Sequence, residues 1–199
     1  MSCDIVLLGV GGQGVLTIAD LLIHCAFEAD LPASYCPTKG MAQRGGFVKA
    51  EVRLAAEKAG PRIGEGQADL VISLERSEAL KGIDFLKPTG TFLLFDHVWV
   101  PTGVLLGADE YPSRDEVIGW IEEVAERLIV LDPESLPSID GQPARPNLFV
   151  LGAMIGRTAL SDLISIDQME STISARWPKV AAANLETFRA GAASGVGSG

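Results

Sequence analysis

The sequence is poor in residues that bind metals or form cross-links. Its 199 residues include three cysteines, Cys3, Cys25 and Cys36, and two histidines. No two cysteines are spaced C-x-x-C, so neither a disulfide framework nor a zinc site is expected. An iron–sulfur cluster held by this chain alone would need about four thiolates. We interpret the cysteines as small buried hydrophobic residues.

Long apolar runs and positive charge are also scarce. No apolar run approaches the roughly 20 residues that cross a bilayer, and the first residues show neither a basic segment nor a cleavage site typical of a signal peptide. We therefore expect a cytoplasmic protein. Its 16 basic residues are outnumbered by 26 acidic ones, for a net charge of −10. Such a chain repels nucleic-acid phosphates and anionic membranes, so neither is expected as a partner.

Hydrophobic residues make up 47% of the chain, and apolar segments of strand and helix type alternate along it. Strands are predicted at 4–9, 33–36, 47–54, 70–74, 91–95 and 128–131. Helices are predicted at 12–29, 77–82, 114–127, 148–160, 165–177 and 178–191. This order predicts right-handed βαβ units in an α/β, Rossmann-like fold. The mostly parallel sheet has helices on both faces and is followed by a C-terminal helical segment.

Finer patterns place some of these elements. Residues 47–54 alternate polar and apolar side chains, which is typical of a half-exposed strand at a sheet edge. Asn147 is predicted to cap the helix that follows it, and Ser165 with Gln168 matches a capping box. We expect one domain over residues 1–191 and a flexible Gly/Ser tail over 192–199.

A glycine-rich turn, Gly9-Val10-Gly11-Gly12-Gln13-Gly14, follows the first predicted strand and opens a helix. In a G-x-G-x-x-G turn, the glycines allow a tight bend, a close approach of backbone to a phosphate, and close packing of helix on strand. The free amides at the helix start can hold an anion.

The turn alone leaves three interpretations open. A nicotinamide site also needs an acidic residue about 20 positions on, at the end of the second strand. Asp30 comes before that strand, and no carboxylate stands at its end near Tyr35 to Lys39. The turn could still hold NAD, could hold an anionic group without nicotinamide specificity, or could only let helix and strand meet.

A second unusual segment is Gly40-Met41-Ala42-Gln43-Arg44-Gly45-Gly46. Glycines around one arginine allow the backbone to bend sharply and approach a ligand or another chain. Arg44 could present its planar guanidinium to a carboxylate or phosphate. Spacing alone equally allows a tight turn in which Arg44 pairs with a nearby acid.

Other residues suggest no separate chemistry. His24 and His97 are too far apart in the chain to suggest a metal site or a triad, so we interpret both as structural or solvent-facing. Glu75 follows a predicted strand and is interpreted as a first-turn helix acid, although strand ends are also where functional residues gather. Trp99, Trp120 and Trp177 are interpreted as core or interface anchors.

Together the glycine turn and the Gly40–Gly46 segment resemble the beta subunit of indolepyruvate ferredoxin oxidoreductases. More broadly, they resemble the gamma subunit or domain of pyruvate and 2-oxoglutarate ferredoxin oxidoreductases. Met41-Ala42-Gln43 before Arg44 favours the indolepyruvate branch. Asn147-Leu148 and Trp177-Pro178-Lys179 also resemble segments of that family. The resemblance covers nearly the whole chain except the tail.

The resemblance implies a reaction in which a 2-oxoacid and coenzyme A (CoA) give an acyl-CoA, carbon dioxide and reduced ferredoxin. It also implies that thiamine diphosphate, Mg²⁺ and 4Fe–4S clusters lie on a large partner subunit, which passes electrons to ferredoxin. This chain then binds no cofactor alone and supplies no catalytic residue, and it could form a homodimer when isolated. An aryl pyruvate is favoured as substrate only through the resemblance.

The chain's own role under this interpretation is to complete the active-site cleft for CoA or the substrate anion. The predicted ligand-binding residues are Gly9, Gly11, Gly12, Gln13, Gly14, Met41, Gln43, Arg44 and Gly45. They would meet in one crevice because ligands collect beyond the carboxyl ends of parallel strands. The alternatives are a stand-alone NAD(P)- or flavin-binding oxidoreductase and an assembly module that binds no ligand.

Overall fold

A computed structural model of the chain describes residues 2–39, 46–56, 60–108, 110–139 and 141–194. Six strands form one sheet in the order β2-β3-β1-β4-β5-β6. Their bounds are β1 Cys3–Val10, β2 Ala33–Lys39, β3 Phe47–Leu54, β4 Ala68–Ser73, β5 Leu86–Phe95 and β6 Arg127–Leu131. Only β3 runs against its neighbours, so the predicted α/β fold with a mostly parallel sheet is confirmed.

Helices cover both faces of the sheet, as predicted. Their bounds are α1 Val15–Glu28, α2 Thr102–Leu105, α3 Arg114–Glu122, α4 Pro146–Arg157, α5 Ile166–Arg176 and α6 Ala181–Ala193. Alternate residues of the strands point to opposite faces of the sheet and contribute to two apolar cores. Helices α1, α4, α5 and α6 pack against one core. Helix α3 and the 3₁₀ helix at 77–81 pack against the other. Among the described residues, no helix has the length and apolar character to cross a membrane.

The prediction that residues 47–54 form a sheet edge is wrong. β3 lies between β2 and β1, and it pairs with β1 over residues 47–54 and with β2 over residues 48–54. β2 is the edge strand instead, and it tolerates Pro37 because an edge strand need not donate every backbone hydrogen bond.

The polar face of β3 led to the wrong prediction because its charged side chains have hydrogen-bonding partners in neighbouring segments of the folded chain. Glu51 is buried, with its side chain 1% exposed, and it accepts bonds from Lys49 at 2.8 Å and from the backbone amide of Ile63 at 2.6 Å. Arg53 donates from Nε and Nη2 to the two carboxylate oxygens of Asp4. The alternation of polar and apolar residues in β3 therefore reflects paired charges rather than exposure to solvent.

Helix starts differ from the predicted ones in two places that matter for the site. α1 begins at Val15 because Gly12 and Gly14 have positive φ angles of 106° and 85°, which no right-handed helix accommodates. The predicted Asn147 cap is wrong: Arg145 is the N-cap of α4 and Pro146 occupies its first turn, where a missing N–H costs nothing. The Ser165–Gln168 capping box is confirmed.

The Pro-rich segment before α4 holds a short hairpin that the sequence did not predict, formed by β7 Ser138–Ile139 and β8 Gln142–Pro143. At the other end of the chain, α6 ends at Ala193, two residues beyond the predicted helix end. Residues 195–199 lie outside the described residues, so the single domain and the flexible tail stay predictions.

Candidate functional site

The carboxyl ends of β1, β4 and β5 open onto a cleft of about 450 Å³. Three segments line it. The first is the glycine turn with the start of α1, at Gly12, Gln13, Gly14 and Thr17. The second follows β4 and β5, at Leu74, Phe95, His97 and Trp99, and the third is Arg145, Pro146 and Asn147. This is the edge of the sheet where ligands of doubly wound folds collect.

The glycine turn is built from backbone geometry and close packing. Gly12 and Gly14 adopt positive φ angles, which favour glycine. Among the described residues, none apart from its chain neighbours has an atom within 4 Å of where a Cβ on Gly12 would be. Gly9 is crowded, because a Cβ there would lie 2.7 Å from Oε1 of Gln13 and 2.9 Å from Cγ2 of Val15. The turn thus combines an exposed bend at Gly12 with tight helix–strand contact at Gly9.

The side chain of Gln13 ties the turn to the neighbouring strands. Its Oε1 accepts a bond from the amide of Val10 at 2.9 Å, and its Nε2 donates to the carbonyl of Leu74 at 2.8 Å. The same Nε2 lies 3.4 Å from Nδ1 of His97. Because its amide is occupied by protein partners, Gln13 holds the cleft together and offers a ligand little beyond its backbone.

Two helix N-termini point into the cleft. α1 and α4 have no side-chain cap and no acidic residue in their first turns. The first amides of a helix lack helical acceptors, and the aligned peptide dipoles place partial positive charge there. Arg145 lines the same cleft. An anionic group would therefore meet two positive helix ends beside a basic residue.

A further part of the cleft lining, which we call the wall, carries the aromatic rings of Phe95, His97 and Trp99. The rings of Phe95 and His97 stack with centroids 6.1 Å apart and planes 7° from parallel. Trp99 is 43% exposed, which leaves much of its indole open to solvent. A flat or apolar group could lie against this wall while a charged group sits at the helix ends.

A polar network behind the wall fixes its backbone. Asp96 accepts bonds from Nε of Arg76 at 2.6 Å and from Nε of Arg114 at 2.8 Å. The amide of Trp99 donates to the buried carboxylate of Glu75, as does the hydroxyl of Tyr111. Burial, and then the bond to Glu75, raise the pKa of the Tyr111 phenol, which keeps it a proton donor. The bond to Asp96 likewise raises the pKa of Arg76.

The structure places part of the predicted site. Gly12, Gln13 and Gly14 line the cleft, and Gly9 and Gly11 lie in the same turn. The amide of Gly11 donates to the carbonyl of Gly46 at 2.8 Å, so the end of the Gly40–Gly46 segment adjoins the turn. Met41, Gln43, Arg44 and Gly45 lie outside the described residues. The ligand-binding roles of all these residues stay predictions.

The cleft residues that the sequence reasoning missed include His97, Trp99, Arg145 and Asn147. The first two follow the carboxyl end of β5, so the strand-end rule that selected the glycine turn could have found them. Arg145 and Asn147 come from a Pro-rich segment far along the chain, and no local pattern marks them as cleft residues.

Two other kinds of site that the chain could provide are a metal site and a ribose-binding carboxylate. Within the described ranges, no group of three or more His, Cys, Asp or Glu residues could hold a metal ion. β2 ends at Lys39, and none of its residues is a carboxylate that could bind a ribose.

Comparison with known proteins gives this cleft a context. Residues 4–194 match the family described as pyruvate ferredoxin/flavodoxin oxidoreductase. The chain belongs to this family. Among curated proteins it is 34% identical to the indolepyruvate oxidoreductase subunit IorB of Archaeoglobus fulgidus, over 96% of this chain and 94% of that protein. It is 33% identical to the subunit of the same name from Thermococcus kodakarensis, over 94% and 93%.

Solved structures of pyruvate ferredoxin/flavodoxin oxidoreductases and their relatives share the fold. A pyruvate oxidoreductase subunit of Thermotoga maritima matches with a TM-score of 0.69 at 18% identity, over 96% of this chain and 95% of that chain. The 2-oxoglutarate:ferredoxin oxidoreductase of Magnetococcus marinus matches with a TM-score of 0.68 at 21% identity, over 96% of this chain but 30% of that one. In that protein the fold is one part of a much longer chain.

Proposed function

We propose that this chain is an accessory subunit of a 2-oxoacid:ferredoxin oxidoreductase, with indolepyruvate or another aryl pyruvate as substrate. The family match and the full-length IorB relatives support this assignment. The partner is a large subunit that holds thiamine diphosphate, Mg²⁺ and 4Fe–4S clusters and passes electrons to ferredoxin. Those groups supply the decarboxylation and the electron transfer.

The chain's contribution is the cleft at the carboxyl edge of its sheet. The observation that supports this role is the meeting of two uncapped helix N-termini with Arg145 around about 450 Å³ of space. CoA combines phosphates with a flat adenine, and the cleft offers a positive end and an aromatic wall for those two parts. The Magnetococcus marinus relative, whose structure was solved with CoA bound, is consistent with this ligand.

Within the cleft, each segment has a distinct task. The amides around Gly12 and Gly14, with Arg145, bind the anionic group. Gln13 holds the turn in place, and the wall at His97 and Trp99 excludes water from one side of the ligand. Arg44 would join from the Gly40–Gly46 segment, whose end adjoins Gly11.

Hydrogen exchange on the assembled complex, with and without CoA, tests this role. We expect CoA to slow exchange in peptides covering 10–17 and 145–149, and to leave α3 at 114–122 unchanged. Protection confined to surfaces away from the cleft would contradict the proposal. Desulfo-CoA serves as a control, because it keeps the phosphates and adenine and so should protect the same peptides.

A further inference from the structure

Glu75 is a buried carboxylate that the proposed function does not use. It follows β4, and its relative exposure is 0%. Its Oε2 accepts bonds from the hydroxyl of Ser77 at 2.6 Å and the amide of Glu78 at 2.9 Å. Its Oε1 accepts from the amide of Trp99 at 3.1 Å and from the hydroxyl of Tyr111. None of the ion pairs found among the described residues includes Glu75, so four neutral donors stabilise it.

Two of these donors, Trp99 and Tyr111, are the ends of a surface segment, residues 99–111, that begins at the cleft wall. Trp99 opens the segment and Tyr111 closes it. Between them, α2 forms no substantial contact with any other described helix or strand. In the same segment, the side chains of Leu105 and Leu106 are 72% and 79% exposed. The bonds to Glu75 therefore tie both ends of this segment to the residue that follows β4.

The neighbours of Glu75 fix the rest of the cleft from the same place. The carbonyl of Leu74 accepts the bond from Gln13, which anchors the glycine turn. The amide of Arg76 donates to the carbonyl of His97 at 2.9 Å, and its side chain binds Asp96. In the tripeptide 74–76, Leu74 therefore binds the glycine turn, whereas Glu75 and Arg76 bind the backbone of the aromatic wall.

We propose that Glu75 is a positioning residue: it fixes Trp99 at the wall of the cleft and thereby sets the cleft's affinity for its ligand, without touching the ligand. This inference rests on the proposed CoA site. It assigns a functional role to a residue that the sequence analysis interpreted as a first-turn helix acid at a strand end.

The role requires a carboxylate and not merely a side chain of that size. A carboxylate accepts at both oxygens, whereas an amide presents one NH₂ group. In a Glu75→Gln variant, that NH₂ must face either the amide of Trp99 or the amide of Glu78, and neither backbone N–H can turn away. A backbone donor left without its acceptor in a buried site is costly, so the wall should move.

Glu75→Gln and Tyr111→Phe are the informative variants, and Glu78→Gln is the matched control. Glu78 is a neighbouring, largely buried carboxylate that pairs with Lys81, and it is not among the described residues that line the cleft. All are measured as the assembled complex. We expect Glu75→Gln to speed exchange of the Trp99 amide and to raise the CoA dissociation constant about tenfold, as expected for one strained buried bond. Tyr111→Phe should act in the same direction by less, and Glu78→Gln should do neither.

A double-mutant cycle separates positioning from general loss of structure. If Glu75 acts through Trp99, then Glu75→Gln in a Trp99→Ala background should weaken CoA binding by less than about twofold. Full additivity of the two substitutions would overturn the inference. If Glu75→Gln does not assemble, Tyr111→Phe takes its place in the cycle with the same criterion.

The outcome is distinguishable from failure of the proposed function. A wild-type complex that binds no CoA would contradict the proposed ligand. Unchanged exchange at the Trp99 amide in Glu75→Gln would overturn the present inference whether or not CoA binds. Faster exchange with unaltered CoA affinity would overturn it as well, because Glu75 would then be structural only.

Discussion

The side chain of Asn147, in the first turn of α4, lies directly against the backbone of Gly14 at the N-cap of α1. A Cβ atom on Gly14 would be 2.6 Å from Nδ2 of Asn147. Residues 133 positions apart in the chain thus bring two helix N-termini together. The contact defines the positive end of the cleft, and it can be disturbed from either side.

Substitution of Gly14 by alanine should combine two penalties. Its φ of 85° strains any residue with a Cβ, and the new methyl group would collide with Asn147. We expect the free energy of unfolding to fall by about 2–4 kcal/mol. Gly12→Ala is the control, because Gly12 also has a positive φ but a Cβ there would meet none of the described residues within 4 Å. It should cost about 1–2 kcal/mol. Equal losses in urea titrations of the two variants would show that the contact with Asn147 is unimportant.

Removal of the Arg145 charge should weaken CoA binding. Arg145→Gln removes the charge of a residue that lines the cleft, and we expect the dissociation constant to rise about tenfold at low salt, with a smaller difference at high salt. Arg62→Gln makes the same change in net charge at an exposed position that does not line the cleft. Calorimetry on both variants in the assembled complex decides the question. Equal effects would mean that only the overall charge matters.

Packing of α4 on α6 should tolerate no methyl group at Gly152. A Cβ there would overlap the carbonyl oxygen of Phe188 in the backbone of α6. Since backbone cannot move aside cheaply, we expect Gly152→Ala to destabilise the chain by at least about 3 kcal/mol. Gly119→Ala, within α3 and with nothing inside 4 Å, should instead stabilise it by about 0.5–1 kcal/mol. Thermal unfolding of both variants compares them, and similar melting temperatures would contradict the close contact.

Alkaline pH should destabilise the chain through Cys3. Burial first, and then the charges of Asp69 and Asp4, raise the pKa of the Cys3 thiol from 9.0 to about 12. The unfolded chain therefore releases this proton at lower pH than the folded chain. The contribution to stability is complete below about pH 9 and is lost as the pH rises toward 12, by up to about 4 kcal/mol.

A Cys3→Ala variant isolates this contribution from other groups that titrate in the same range, including Tyr111. Urea unfolding at pH 8, 10 and 11 should show wild type losing more stability than the variant. Parallel losses would mean that the thiol ionises no later in the folded chain than in the unfolded one.

Local sequence patterns predicted the elements that depend on local chemistry. The buried apolar run of β1 and the capping box at Ser165 are both where the sequence placed them, because hydrophobic runs and caps act over a few residues. β3 was misplaced in the sheet because its polar face has partners, Asp4 and Ile63, that only the folded chain supplies.

The same distinction applies to the site. The glycine turn was visible because positive φ angles and a following helix demand glycine at fixed spacings. Arg145 and Asn147 reach the cleft through the packing of α4, which no spacing in the sequence reveals. Glu75 was interpreted as a first-turn helix acid, although its place at a strand end also allowed a functional role. Its second pair of donors comes from a segment that begins 24 residues later, which no local pattern reveals.

Reconstitution tests the central claim most directly. The chain and its large partner subunit would be purified separately, and each would be assayed alone and mixed for 2-oxoacid-dependent reduction of ferredoxin with CoA. The account predicts no turnover by this chain alone and acyl-CoA formation by the mixture, with indolepyruvate among the substrates. Ferredoxin reduction by this chain alone, or a mixture no more active with CoA than the large subunit by itself, would contradict it.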